Sequence, residues 1–216
     1  MRNLKLNTYH ISEERVNVIS HFIGLLLSVV ALFLLVLKAV KYGQVYHIFS
    51  ATVYGISLVV LYLASTLYHN AAKERLRKRL NVFDHASIFI LIAGSYTPFL
   101  LISLRETFGF EFFIFIWSVA IIGVVLKLFF FGKYGILSTV MYILMGWVVV
   151  FAMKSLMENV PIQGIYWLWI GGVLYTIGAV IYSIDKLKMN HAIFHIFVLL
   201  GSIAHFIAIY FYVLPN

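Results

Sequence analysis

Three short stretches of this sequence carry side chains that can do chemistry. His191 and His195 stand four residues apart, so on a helix both imidazoles lie on one face. Two histidines at that spacing can grip one metal ion, as on metalloprotease helices. Ser65 and His69 have the same spacing, which puts a hydroxyl one turn from a third imidazole on the same face. Asp84-His85 sets a carboxylate beside another imidazole. Three histidines from two helices would leave the fourth position on a zinc ion open, the pattern of a catalytic rather than a structural zinc. There is a plainer reading: histidines near a membrane interface also bond backbone carbonyls and lipid headgroups. Spacing and depth leave both open. Cysteine is absent, so disulfides, thiolate nucleophiles and cysteine-type zinc or iron–sulfur sites are excluded. Any metal has to be held by His, Asp or Glu.

The elements that must position these groups are membrane spans. Of 216 residues, 63% are hydrophobic and 11% charged, against about 45–50% and about 25% in soluble domains. A soluble domain of this size could not hide so much apolar side chain, and disorder requires low hydrophobicity. A helix crosses a bilayer with about 20 mostly apolar residues. Seven stretches qualify: Val18–Leu37, Val45–Tyr68, Ala86–Leu104, Phe112–Phe131, Tyr134–Met153, Val160–Ile184 and Met189–Leu214. The expected fold is therefore an all-α seven-transmembrane helix bundle, one domain over residues 1–216. Six spans lack Asp, Glu, Lys and Arg; the fourth holds only Lys127, expected to snorkel to the interface. Backbone groups in lipid must be bonded internally, and the alternation of a barrel strand is missing. The first span is too long for a signal-peptide core and no small-residue cleavage site follows it, so it is expected to be retained.

Lysine and arginine set the direction. With the N-terminus inside, the cytoplasmic segments hold Arg2, Lys5, Arg15, Lys73, Arg75, Arg77, Lys78, Arg79, Lys127, Lys133, Lys186 and Lys188, twelve in all. The other side holds four: Lys38, Lys41, Arg105 and Lys154. The N-terminus is expected in the cytoplasm and the C-terminus outside. The net charge of +8 is then an asymmetry across the bilayer. The run Lys73–Arg79 reads as a topology-setting loop between spans, not a nucleic-acid patch. The histidines took no part in this count, yet His69, Asp84, His85, His191 and His195 all fall at the cytoplasmic ends of their spans.

Other polar residues receive lesser expectations. His21, one turn into the first span, is a packing residue before it is a fourth ligand. His205 lies ten residues beyond His195, about 15 Å deeper on a helix, too far to share an ion; an interhelical hydrogen bond suits it. His47 and His10 receive no role. Trp117, Trp167 and Trp169 fit an interfacial aromatic belt, with Trp147 in the outer half of its span. Pro98, after Thr97, predicts a bend in the third span, with neighbouring hydroxyls satisfying freed backbone groups.

Taken together the motifs resemble the hemolysin III family of bacterial membrane proteins, which belongs with the progestin and adipoQ receptors, adiponectin receptors included. The resemblance covers nearly the whole chain. It rests on Glu14-x-x-Asn17-x-x-Ser20-His21, Ser65-Thr66-Leu67-Tyr68-His69, Asp84-His85, Gly94-Ser95-Tyr96-Thr97-Pro98, and His191-x-x-x-His195 with the later His205. It implies a seven-helix bundle with a cytoplasmic N-terminus and a zinc ion near that side, held by His69, His191 and His195. It also implies that Asp84 interacts with water at the zinc, and that Ser65 matches the serine one turn before the first histidine. Only the residues before Val18 precede the bundle, which leaves little to receive a protein hormone.

Three functions compete at this point. In the first the protein is a zinc-dependent hydrolase of membrane lipid amides or esters, like the related ceramidase-type proteins, with Asp84 and Ser65 as catalytic residues. In the second it is a non-enzymatic sensor or regulator of membrane state with a structural zinc. In the third it is a cytolytic or channel protein, which the scarcity of charge within the spans disfavours. A retinal photoreceptor needs a lysine in the last span for its Schiff base, and that span has none.

Overall fold

The computed structural model describes residues 11–130, 135–184 and 186–216. Arg2, Lys5, His10, Phe131, Lys133 and Tyr134, invoked above, lie outside them. All regular structure among the described residues is helical: α1 (Ile11–Tyr42), α2 (Val45–Asn70), α3 (Glu74–Pro98), α4 (Gly109–Phe130), α5 (Gly135–Trp147), α6 (Met153–Asn159), α7 (Ile162–Tyr182) and α8 (Asn190–Ala208). Seven helical segments are long and apolar enough to cross a membrane, the fifth formed by α5 and α6 together. Helices α1 to α4 pack each on the next, α7 packs on α8, and α8 returns against α1.

In lipid the helices gain little by burying apolar surface, because the surroundings are equally apolar. Close backbone approach and interhelical hydrogen bonds hold them instead. Gly24 lies so near the Tyr62 ring that a Cβ there would overlap it. Ile19, Phe33, Phe129 and Phe151 point outward and are exposed, as lipid-facing residues would be. Two polar knots tie the interior. In one, Tyr62 donates to the Ser202 hydroxyl at 2.7 Å, Tyr175 reaches the same oxygen at 2.9 Å, and Tyr54 donates to the Ser202 carbonyl at 3.4 Å. This joins α2, α7 and α8 through one serine. In the other, the buried Lys38 ammonium donates to the Tyr210 carbonyl and to Asn216 Oδ1, each at 2.7 Å, fastening α1 to the C-terminal turn.

Several sequence expectations change here. The basic run after Lys73 is not a loop but the opening of α3, stabilised by the Glu74–Lys78 pair at i,i+4. Asp84 and His85 therefore sit about three turns into a helix rather than at its start. The fifth span extends further toward the C-terminus than Met153, to Asn159, with a 3₁₀ stretch at Val148–Ala152. At Pro98, which has no N–H to give, α3 ends and the chain widens into a π-helical turn over Phe99–Ser103. The Thr97 hydroxyl donates to the Ala93 carbonyl and accepts the Trp117 indole N–H at 3.1 Å. Trp117 thus braces the proline turn, a role the aromatic belt does not require. His47 also gains a function: its Nδ1 accepts the Gln44 N–H at 2.9 Å and caps α2.

Candidate metal centre

Three histidines far apart in sequence meet at the α1 N-terminal end of the bundle. His69 comes from the last turn of α2, and His191 and His195 from successive turns at the start of α8. All three are buried, and one potential ligand atom from each lies within 4.8 Å of the others, a group able to hold a metal ion. The Nε2 atoms of His69 and His191 stand 3.1 Å apart. Two nitrogens on one tetrahedral zinc would be about 3.3 Å apart, given Zn–N bonds of about 2.0–2.1 Å.

Local structure holds α8 in place for this. Met189 adopts a left-handed backbone, φ 59°, which turns the chain so that Asn190 can begin the helix. The Asn190 side-chain amide then donates to the Tyr182 and Ile184 carbonyls at the end of α7. That bond fixes the approach of His191, whose ring meets the Tyr182 ring edge to face.

A second layer of contacts orients the imidazoles. The Glu14 carboxylate stands 2.7 Å from His69 Nδ1. A carboxylate only accepts, so Nδ1 carries the proton and Nε2 offers its lone pair toward His191. Arg77, from the first turns of α3, pairs with the other oxygen of Glu14. His195 Nδ1 lies 3.4 Å from the Asn17 carbonyl, so that nitrogen donates and Nε2 is again free to bind. The chain Arg77–Glu14–His69 is the carboxylate–histidine support that metal ligands usually have. It was missed in the sequence, although the signal is there: Glu14, Asn17 and His21 share one face of an apolar helix at i, i+3 and i+7. Glu14→Gln keeps the size of the side chain and removes its charge. It is expected to weaken binding of a divalent metal about 10–100-fold, read by competition with a chelator.

The remaining sequence candidates surround the triad. Ser65, Asp84, His85 and His21 line one cavity of ≈ 940 Å³ together with His191 and His195. The Ser65 hydroxyl is buried and has no hydrogen-bond partner among the described residues. Asp84 is buried, with a carboxylate oxygen 3.6 Å from His85 Nδ1, and it stands outside the group of three ligands. His21 stacks on the His195 ring at 3.5 Å and meets Tyr62 edge to face, which makes it a packing partner of a triad member. Lys127 does not snorkel to the interface. It is buried, lines the same cavity and interacts electrostatically with Asp84. Its position near the end of α4 suggests an escape to water, but it lies on the inward face, buried and lining the cavity.

The cavity runs on from the triad toward the opposite end of the bundle. Its wall is largely apolar, with Leu61, Ile88, Leu91 and Phe99, and includes Trp169 and Tyr175 of α7 and His205 of α8. Trp169, Leu187 and Met189 are both exposed and part of its wall, so the space reaches the protein surface. His205 bonds the Leu168 carbonyl at 3.2 Å, the interhelical role its depth suggested. Trp147 donates to Thr176 at 2.9 Å and packs against Trp169.

Comparison with known proteins agrees with this architecture. Residues 9–206 match the family model described as Haemolysin-III related. The chain is 44% identical to Hemolysin-3 of Bacillus cereus over 209 residues, 97% of this chain and 95% of that one. It is 43% identical to the Hemolysin-3 homolog of Bacillus subtilis (strain 168) over 204 residues, 94% and 96% of the two chains. The human monocyte to macrophage differentiation factor is 32% identical over 171 residues, covering 76% of this chain and 70% of its own length. A helical fold with seven membrane-crossing segments and a match along nearly all its length make this chain a multi-pass integral membrane protein that belongs to the haemolysin-III related family.

Proposed function

We propose that this protein is a zinc-dependent hydrolase that cleaves a lipid amide or ester at the cytoplasmic side of a bacterial membrane. The observation that carries this reading is the cluster of three buried imidazoles, two of which, His191 and His195, line a largely apolar cavity together with Asp84 and Ser65. Neutral imidazoles suit zinc, and calcium or magnesium far less. The placement at the cytoplasmic side rests on the twelve-to-four asymmetry of lysine and arginine.

When bound by three imidazoles, zinc supplies a Lewis acid and brings the pKa of a coordinated water to about 7. The protein's own residues supply the rest. Asp84 takes the proton of the attacking water as general base and returns it to the leaving amine or alcohol. The Ser65 hydroxyl, otherwise unpartnered among the described residues, donates to the oxyanion as it develops on the former carbonyl. Glu14 keeps His69 in the tautomer that binds. The apolar wall holds the lipid chain and excludes bulk water from the reacting bond.

The test is metal content and turnover together. The purified protein in detergent is expected to carry about one zinc per chain and to release fatty acid from N-acyl or O-acyl lipids, with activity lost to a chelator and restored by zinc. A folded protein that holds no metal and takes up none when zinc is added refutes the proposal. A second reading is that zinc pins α2 to α8 without chemistry, which the deep burial of all three imidazoles favours. It predicts bound zinc with no lipid consumed. The Bacillus relatives are named hemolysins, and a cytolytic role here would instead show as leakage from liposomes.

A further inference from the structure

The first turns of α3 rise beyond the apolar span and have two different faces. One faces the bundle: Arg77 pairs with Glu14 of α1, and Asn81 and Asp84 are buried. Arg75, Leu76, Arg79 and Phe83 are all exposed. At 3.6 residues per turn these four fall within about 100° of arc, so they form one outward stripe. In the basic run, Arg77 and Lys78 have carboxylate partners, Glu14 and Glu74. Arg75 and Arg79 form no ion pair among the described residues.

Like charges four residues apart on a helix repel each other. An anion held between the two guanidinium groups removes that repulsion, and their forked donors match the oxygens of a phosphate. Depth selects which phosphate. Phe83 stands three residues before Ala86, where the apolar span begins, a rise of about 4.5 Å. Arg79 stands seven residues before it, a rise of about 10 Å. The headgroup layer on each side of the hydrocarbon is about 5–8 Å thick, and an arginine stem can reach back toward it. The Arg79 guanidinium therefore comes to the level of lipid phosphates, while Phe83 sits where acyl chains begin. Apolar and basic residues interleaved in this way mark a helix in contact with anionic headgroups.

We propose that the outward stripe of α3 binds an anionic phospholipid, with its phosphate clasped by Arg75 and Arg79 and its chains starting beside Phe83. A zwitterionic lipid also carries a phosphate, but its own ammonium group is repelled by the two arginines. The site rests on the membrane-crossing fold and is independent of the metal centre and of hydrolysis.

Native mass spectrometry tests this on the purified full chain in neutral detergent, with phosphatidylglycerol and phosphatidylcholine offered in equal amounts. The wild type is expected to retain phosphatidylglycerol in preference. Arg75→Gln/Arg79→Gln is expected to bind it about 30-fold more weakly, the product of the two arginines' separate attractions for an anionic lipid. Arg15→Gln/Lys186→Gln removes the same charge from other elements and is expected to keep the lipid. No preference in the wild type overturns the proposal, and so does a preference that survives in Arg75→Gln/Arg79→Gln. Loss of the lipid from both double variants would mark a diffuse charge effect and also overturns it. Glycerol phosphate bound as tightly as the lipid would make the ligand a soluble phosphate, with the same consequence. If Arg75→Gln/Arg79→Gln does not accumulate, the wild type alone decides. Phosphatidylglycerol with a photoreactive group at the head of one acyl chain is expected to crosslink to α3 around Phe83, and crosslinking confined to other helices overturns the proposal.

Discussion

Asp84→Asn is expected to keep its zinc and lose turnover by a factor on the order of 10²–10⁴, the usual contribution of a positioned general base. The substitution preserves shape and removes only the basic oxygen. Asp84 lines the cavity beside His191 and His195 but is not one of the three clustered ligands, so metal content should not change. That separation makes the measurement informative. Zinc is counted by mass spectrometry and turnover by released fatty acid, on the same preparation. Full turnover in Asp84→Asn would remove Asp84 from the mechanism and leave water to be deprotonated elsewhere. Loss of zinc along with turnover would make Asp84 a fourth ligand.

His191→Ala is expected to abolish stoichiometric zinc binding. The variant removes the imidazole whose Nε2 stands 3.1 Å from that of His69, and two nitrogens cannot hold zinc as three do. The thermal unfolding of the same variant in detergent distinguishes a catalytic from a structural metal. With a catalytic zinc, the bundle still has the Ser202 and Lys38 knots and the tight α1–α2 packing at Gly24, and the melting temperature falls by only a few degrees. With a structural zinc, α8 loses its main tie to α2 at that end, and the variant unfolds well below the wild type or fails to accumulate. Stoichiometric zinc in His191→Ala would place the ion elsewhere and dismantle the centre described here.

Much of this was legible in the sequence, for reasons that differ by residue. The spans declare themselves because lipid demands about 20 apolar residues per crossing, so composition alone fixes their number. The triad was legible because i,i+4 spacing places His191 and His195 on one face whatever the tertiary structure, and His69 lies at a matching span end. Glu14 was not recognised as a support, because its value depends on meeting His69, 55 residues away. Lys127 was misjudged because proximity to a helix end says nothing about which face a side chain takes. At the opening of α3 the run of charges suggests a solvated loop, whereas Glu74 and Lys78 stabilise helix at their spacing. The left-handed turn at Met189 has no signal in residue type, since glycine or asparagine usually marks such a position.

The 122-residue separation of His69 and His191 sets the order of events while the chain is being made. His69 leaves the ribosome early, at the end of the second helix, and waits for its partners. At about 5–20 residues per second, roughly 6–25 s pass before His191 and His195 follow with the last helix. A nascent or truncated chain can present one imidazole but cannot close the triad. An ion held by all three imidazoles would therefore require a chain whose eighth helix has been inserted and has docked back against the first.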